Sequence, residues 1–327
     1  MRYAITGATG FVGGEIARQL RADGHQVLAL VRDPGRAGAL TELGVDLVAG
    51  DLDDLPALTR MADGADGVFH VAGWYKIGLR DTRAPVAINI DGTRHVLELM
   101  QELGIRKGVY TSTLAVNSDT RGALVDESFR FSGRHVSVYD WSKHEAHKIA
   151  EDFIARGLPL TIVQPGLIYG PGDTSGVRTM FLQYLQRKLP AVPSGAAYCW
   201  AYVDDEVQGH ILAMEKGKPG RSYFLAGPPH TIVEALDMAE SITGIPAPKI
   251  RMPPAVLKGA AALMRVPAAI FSLPASMAPE SLRVLAGVTY LGDATRAREE
   301  LGWRPRPLRE GLEQTLRYEM QLLGMKP

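Results

Sequence analysis

The chain has 327 residues, of which 46% are hydrophobic and 22% charged, a composition typical of a soluble globular protein with one large domain or two ordinary ones. Its 36 basic and 36 acidic residues give a formal net charge of +0, which argues against nucleic acid or an acidic membrane surface as a partner. The single cysteine, Cys199, excludes an internal disulfide and a cysteine-rich metal site and fits a reducing compartment. We therefore expect a cytoplasmic protein without a metal.

Two further features bear on membranes. The first residues are strand-like and show no charged-then-apolar signal segment. The most apolar later stretch, residues 255–277, is interrupted by Lys258, Arg265, Pro267 and Pro274, so we predict no transmembrane helix. Whether this stretch leaves an apolar surface for a membrane or for a substrate stays open.

Strand and helix patterns alternate through the first half of the chain. Short apolar runs predict strands at residues 3–5, 28–31, 45–48, 67–71, 108–110 and 160–163. Amphipathic patterns predict helices at residues 9–23, 35–43, 55–62, 86–103 and 139–155. This alternation predicts an α/β fold with a doubly wound parallel sheet, in which ligands bind beyond the carboxyl ends of the strands.

After Pro165 the pattern changes and helices dominate. We predict strands at 200–203 and 222–225, and a helix at 206–216 that Asp204 caps. Further helices are predicted at 177–188, 231–243, 254–265, 279–285, 293–301 and 308–323. The chain thus divides into a dinucleotide-binding domain (1–165) and a smaller, mostly helical substrate-binding domain (166–327), of which 201–243 contribute elements back to the first.

The turn between the first strand and the first helix is rich in glycine. A strand that turns tightly into a helix leaves the first helical N–H groups unpaired, and these groups together with the helix dipole can bind phosphate. The alternative is an ordinary strand-to-helix turn, but the position of this one, at the first turn and before a second apolar strand, favours a nucleotide. The cofactor-binding residues predicted here are Gly7, Thr9, Gly10, Phe11, Val12 and Gly13.

The end of the second strand indicates which nicotinamide cofactor is bound. An NAD site needs an acidic residue there, about 20 residues beyond the glycines, to accept a hydrogen bond from the ribose 2′-hydroxyl. This chain has Arg32, with Arg36 one turn further on, and a guanidinium grips a 2′-phosphate instead. We therefore predict NADP(H), with NAD(H) possible, because Asp33 could turn inward and the arginines could be solvated surface charges.

The third and fourth strands each end in residues suited to a cofactor. Asp51 and Leu52 follow the third strand, where a carboxylate either reaches an adenine amino group or caps a turn, and both alternatives stay open. Ala72 and Gly73 end the fourth strand, and their small size suits close passage of a cofactor. We expect the preceding His70 to be packed rather than catalytic.

The strongest catalytic signal is the pair Tyr139 and Lys143, which are four residues apart and therefore share a helix face. A free phenol has a pKa of ~10, too high for a base near neutrality. An ammonium one turn away is expected to lower that pKa. The alternative is a surface pair, but this pair opens a helix after the fifth strand, downstream of the hydroxyl cluster Thr111-Ser112-Thr113.

These motifs together resemble the extended short-chain dehydrogenases/reductases, the group of sugar-nucleotide epimerases and dehydratases, dihydroflavonol reductases and 3β-hydroxysteroid dehydrogenases. The resemblance spans almost the whole chain, is specific for the superfamily rather than for a substrate, and implies a Rossmann-like fold. The segments that carry it are 6–13, 51–52, 89–93, 111–116, 139–143, 164–172, 203–205 and 300–305.

The resemblance implies roles for individual residues. Tyr139 is then the general acid/base, Lys143 its partner and a cofactor ligand, and Thr113 the third catalytic hydroxyl, with Ser112 as the fallback. Two departures are Gln164, where arginine is more usual, and Arg32, which is similar to the NADP-using reductases. The resemblance also implies further cofactor contacts at Asn89, Pro165, Gly166 and Ile168. It implies a homodimer formed through helices 86–103 and 139–155, whose outer faces carry apolar residues that one subunit would not fully cover, such as Val96, Leu99, Ile149 and Phe153.

Three functions are compatible with the sequence. The first is an NADP-dependent oxidoreductase acting on a carbonyl or alcohol of a fairly apolar small molecule, favoured by the apolar residues of 252–277. The second is a sugar-nucleotide epimerase or dehydratase. The diphosphate of its substrate would need cationic partners in the second domain, and those available are few and scattered: Arg178, Arg187, Lys188 and Arg251. The third, a non-catalytic NADP-sensing protein, would not require Tyr139 and Lys143. The predicted substrate contacts are Trp74, Tyr75, Arg178, Trp200 and Tyr202.

Overall fold

The computed structural model describes residues 1–78, 81–271, 274 and 277–325. Its centre is a seven-stranded parallel sheet with the strand order β10-β6-β5-β4-β1-β2-β3. The predicted α/β fold with a doubly wound parallel sheet is thereby confirmed. The strands are β1 (Arg2–Thr6), β2 (Gln26–Val31), β3 (Asp46–Ala49), β4 (Gly67–His70), β5 (Gly108–Thr111), β6 (Leu160–Pro165) and β10 (Ser222–Leu225).

Helices cover both faces of this sheet because successive strand residues point to opposite sides. In β1, Ile5 packs into the core on the side of α1 (Phe11–Ala22) and α8 (Val203–Lys216), whereas Ala4 packs into a second core on the other side. That second core is formed with α3 (Leu55–Ala62), α5 (Gly92–Glu102) and α6 (Val138–Ala155). Burial on both faces explains why these strands are continuous apolar runs.

The second half of the chain contains more strand than the sequence predicts. A small sheet has the order β11-β9-β13 with β7 paired to β9, and β8 pairs with β12. Its strands are β7 (Leu167–Tyr169), β8 (Val192–Pro193), β9 (Ala197–Tyr202), β11 (Pro229–Thr231), β12 (Arg251–Met252) and β13 (Thr289–Tyr290). The helices around it are α7 (Gly176–Leu185), α9 (Ile232–Thr243), α10 (Pro254–Leu263), α11 (Arg265–Ile270), α12 (Pro279–Leu285) and α13 (Leu308–Leu322).

Several predicted helix boundaries are wrong. Asp204 does not cap α8, because the helix begins at Val203 directly after β9 and Asp204 lies in its first turn. The predicted helix 35–43 is divided into a 3₁₀ turn (Pro34–Arg36) and α2 (Gly38–Glu42), because Asp33 caps the turn. The predicted helix 86–103 follows a short helical turn, α4 (Arg83–Pro85), and begins as a π-helix (Val86–Asp91) before it becomes α5.

The apolar residues offered for a dimer interface are already covered within one chain. Val96, Leu99, Ile149 and Phe153 are between 1% and 8% exposed and belong to the core between α3, α5 and α6. The argument that they need a second subunit to cover them is therefore wrong. In the described ranges, no helix is long and apolar enough to cross a membrane.

Candidate active site

The glycine-rich turn is shaped so that only glycine fits at two of its positions. Gly7 has a φ of +81°, and a Cβ there would lie 2.6 Å from the backbone nitrogen of Ala72. A Cβ at Gly13 would lie 2.2 Å from the carbonyl oxygen of Gly7. The N-cap of α1, Gly10, offers no side-chain acceptor, so the first-turn amides are left for a ligand. This cradle fits the pyrophosphate of a dinucleotide.

At the end of β2, Arg32 and Arg36 are exposed, whereas the Asp33 carboxylate forms a hydrogen bond within the turn. The Asp33 side chain accepts a hydrogen bond of 3.0 Å from the backbone nitrogen of Gly35. Arg32 and Arg36 are exposed, and neither guanidinium has a hydrogen-bond or ion-pair partner among the residues described here. The end of β2 therefore presents two guanidinium groups that have no partner in the described structure.

The residues after β3 and β4 have mainly structural contacts of their own. Asp51 accepts a hydrogen bond of 2.8 Å from the backbone nitrogen of Leu52, a turn interaction. Leu52 is 5% exposed and packs against Gly92. His70 is fully buried between the hydroxyls of Thr6 and Thr93, and burial lowers its pKa to about 3. His70 is thus a packed histidine, as expected.

Asn89 fixes the chain that follows β4. Its side-chain oxygen accepts from the backbone nitrogen of Trp74 at 2.7 Å, and its amide donates to the Trp74 carbonyl at 3.0 Å and to Ser142 at 2.9 Å. A Cβ at Gly73 would lie 3.8 Å from the Lys143 ammonium. Asn89 therefore holds this segment, with the predicted contacts Ala72 and Gly73, beside α6.

Tyr139 lies in the first turn of α6, near the hydroxyl of Thr113. Burial raises the pKa of Tyr139 to about 12, and the nearby Thr113 hydroxyl opposes that rise. Ser112 is occupied elsewhere, because its hydroxyl is 2.9 Å from Nδ1 of His147. Of the two hydroxyls that the sequence offers, Thr113 is the one placed beside the phenol.

Lys143 is buried, 4% exposed, and its ammonium donates to the Thr111 carbonyl oxygen at 2.8 Å and to the Tyr110 hydroxyl at 3.3 Å. Burial lowers its pKa to about 7. The expected lowering of the Tyr139 pKa is therefore wrong for the chain by itself: desolvation dominates at both groups, and the ammonium interacts with β5 instead.

Two carboxylates that the sequence analysis missed fix the start of α6. Asp140 accepts hydrogen bonds from the hydroxyls of Tyr290 at 3.0 Å and Ser118 at 3.3 Å, and burial raises its pKa to about 6. Glu280 on α12 accepts from the backbone nitrogen of Gly78 at 2.7 Å and from that of Val138. Both bring distant parts of the chain to the helix that carries Tyr139.

Three predicted substrate contacts have side chains that already pack or pair within the chain. Trp200 is 1% exposed and its indole donates to the His230 carbonyl at 3.0 Å. Tyr202 is 3% exposed. The guanidinium carbon of Arg306 lies over the Tyr202 ring, 4.0 Å from the ring centroid. Arg178 forms a two-pronged ion pair with Glu319, the shorter contact being 2.7 Å.

The remaining predicted contacts lie in the segment after β4 and at the junction of β6 with β7. Trp74 is partly exposed in the segment that Asn89 holds, and Tyr75 is 50% exposed with its hydroxyl 3.4 Å from that of Thr174. Pro165 ends β6, Ile168 lies in β7, and Gly166 between them approaches β9 so closely that a Cβ would lie 2.2 Å from the Cys199 carbonyl oxygen.

Residues 3–226 match the NAD dependent epimerase/dehydratase family. The chain belongs to this family. It is therefore an enzyme of the NAD(P)-dependent extended short-chain type, as its motifs indicate.

Individual relatives agree with this assignment. The chain is 35% identical to a Synechocystis protein named "Putative dihydroflavonol 4-reductase". The match extends over 260 residues, which are 77% of this chain and 75% of the relative. The chain is 31% identical to sterol demethylase protein B of Methylococcus capsulatus, over 93% of this chain and 94% of that one. The crystal structure of gox2253 is similar with a TM-score of 0.84 and 29% identity, and covers 100% of this chain and 99% of that one.

Proposed function

We propose that this enzyme is an NADP(H)-dependent oxidoreductase that interconverts a carbonyl and an alcohol on a small molecule. The observation that carries this proposal is the placement of the Tyr139 phenol beside the Thr113 hydroxyl, with the buried Lys143 ammonium on the same helix face. When bound, the nicotinamide supplies or accepts the hydride.

In the reductive direction, Tyr139 is the proton donor. With a pKa raised by burial to about 12, the phenol is protonated near neutrality and can donate to a carbonyl oxygen. As the carbonyl π bond breaks, the substrate carbon gains a hydride and its oxygen gains the Tyr139 proton. Thr113 can hold the substrate oxygen through its hydroxyl, and Lys143, one helical turn from Tyr139, serves as a cofactor ligand.

The preference for NADP(H) rests on the end of β2. Arg32 and Arg36 are exposed and unpaired in the described structure, and Asp33 is committed to the Gly35 amide. Two guanidinium groups favour a 2′-phosphate, whereas a ribose 2′-hydroxyl needs an acceptor.

Purified enzyme with NADPH or NADH and a panel of ketones, aldehydes and alcohols tests the proposal, read by nicotinamide absorbance and product mass. We expect net oxidation of NADPH with an apolar carbonyl, and turnover lowered at least ~100-fold in Tyr139→Phe. Sugar nucleotides belong in the same panel. If they alone react, and without net cofactor change, the enzyme is an epimerase or dehydratase and the proposal is overturned.

The epimerase alternative lacks two of the cations considered for it. Arg178 is paired with Glu319, and Arg251 with Asp237 at 2.9 Å. These guanidinium groups are not free for a nucleotide diphosphate, which is why we rank the reductase first.

A further inference from the structure

A cavity of about 1030 Å³ lies against the start of α6, between that helix and the pair α10 and α12. Val138 and Trp141 line it from the helix that carries Tyr139, and Ala261 and Ala262 line it from α10. Val138 and Trp141 are three residues apart and share one face of α6, whereas Tyr139 and Lys143 share a different face and do not line the cavity. Its apolar walls suit the non-polar body of a ligand.

Four cations also border this cavity: Arg134, Lys258, Arg265 and Arg283. All four are exposed, and none has a hydrogen-bond or ion-pair partner within residues 1–78, 81–271, 274 and 277–325. A fifth polar group, His135, has a buried Nδ1 without a partner in the same ranges. The lining is therefore rich in donors that have no partner among the described residues.

The two carboxylates of the lining do not neutralise these cations. Asp119 accepts from the backbone nitrogens of Arg121 at 2.9 Å and Thr289 at 3.0 Å. Glu280 accepts from two further backbone nitrogens, including that of Val138. Both are held by neutral donors, and the four cations outnumber them, so the cavity favours an anion.

From this combination we infer that the cavity is a binding site for an amphipathic anion, whose carboxylate or phosphate lies among these four cations while its apolar part packs against Trp141 and the alanines of α10. This site goes beyond the proposed function, because none of the residues proposed for catalysis lines it. Guanidinium groups bind both anions through paired N–H donors, so the two anions share one recognition chemistry.

The test is isothermal titration of cofactor-free wild-type enzyme with octyl phosphate, octanoate and octanol. We expect both anions to bind about tenfold more tightly than octanol, with an advantage that shrinks as salt is raised. The double variant Arg265→Gln/Arg283→Gln is expected to lose most of this advantage. Arg60→Gln/Arg94→Gln is the matched control, because both residues are exposed, unpaired in the described structure and outside the cavity lining.

Equal binding of octanol and the two anions would overturn the inference, as would an unchanged anion affinity in Arg265→Gln/Arg283→Gln. Stronger binding of octanoate or of octyl phosphate identifies which anion the site prefers. Tighter binding of uridine diphosphate than of octyl phosphate would overturn the apolar half of the inference. Because no step of this assay uses hydride transfer, its result is independent of whether Tyr139→Phe abolishes reduction, so the two proposals fail separately.

Discussion

Replacing Lys143 by methionine should stabilise the cofactor-free protein while it destroys the active site. The ammonium is 4% exposed and faces the Thr111 carbonyl and the Tyr110 ring, with no carboxylate beside it in the described structure. A buried cation without a counter-ion is costly, and methionine has a similar length without the charge.

The size of the effect follows from the lowered pKa of Lys143. Burial takes it from 10.5 to about 7, and at ~1.4 kcal/mol for each pH unit this corresponds to about 5 kcal/mol of stability lost at pH 7. Removing the donor leaves the Thr111 carbonyl short of a partner, which costs about 1–3 kcal/mol. We therefore expect Lys143→Met to raise the free energy of unfolding by about 2 kcal/mol or more at pH 7.

The stability that Lys143→Met gains over the wild type must decrease as the pH rises. Between pH 7 and 10.5 the unfolded chain binds a proton at Lys143 that the folded chain does not, so the wild type becomes more stable as pH rises. The advantage of Lys143→Met should accordingly shrink by about 3 kcal/mol from pH 7 to ~9.5. Urea unfolding of both proteins at both pH values measures it. A wild type more stable than the variant at pH 7, or a difference that does not change with pH, would refute the reasoning.

Three further predictions concern activity. Tyr139→Phe should lower turnover at least ~100-fold with NADPH affinity retained, because only the proton donor is lost; wild-type turnover of any accepted substrate would contradict the site. Thr113→Val should lower turnover with little effect on cofactor affinity, whereas Thr113→Ser should keep most activity, since only the serine keeps the hydroxyl; steady-state kinetics of both variants decide it. Arg32→Ala should weaken NADPH binding selectively, and a parallel loss of NADH affinity in calorimetry would count against the 2′-phosphate assignment.

The sheet was predictable because its information is local. In β1 and its neighbours, buried apolar runs alternate with amphipathic helices, and that pattern needs no knowledge of distant residues. The glycine turn and the Tyr139–Lys143 spacing are local in the same sense. Motif residues could therefore be placed at the carboxyl ends of strands from the sequence alone.

The substrate side was less predictable because its contacts join distant parts of the chain. In the sequence, Arg178 has no partner nearby. In the structure it pairs with Glu319, which lies 141 residues later in the chain. Glu280 meets Val138 across 142 residues. The pKa of Lys143 also escaped prediction, since helix spacing indicates a neighbouring phenol but not the burial that outweighs it. Only the folded structure supplies such information.

The seventh strand has a consequence for engineering. β10 pairs with β6 in the main sheet, yet the chain reaches it only after β7, β9 and α8. A fragment that stops at residue 165 would expose the edge of β6, whose residues Leu160–Pro165 are all buried in the whole chain, and such an edge invites aggregation. Residues 1–165 are therefore not expected to form a stable domain when they are expressed alone. Chimeras that exchange specificity regions between relatives should join after Leu225, where the sheet is complete.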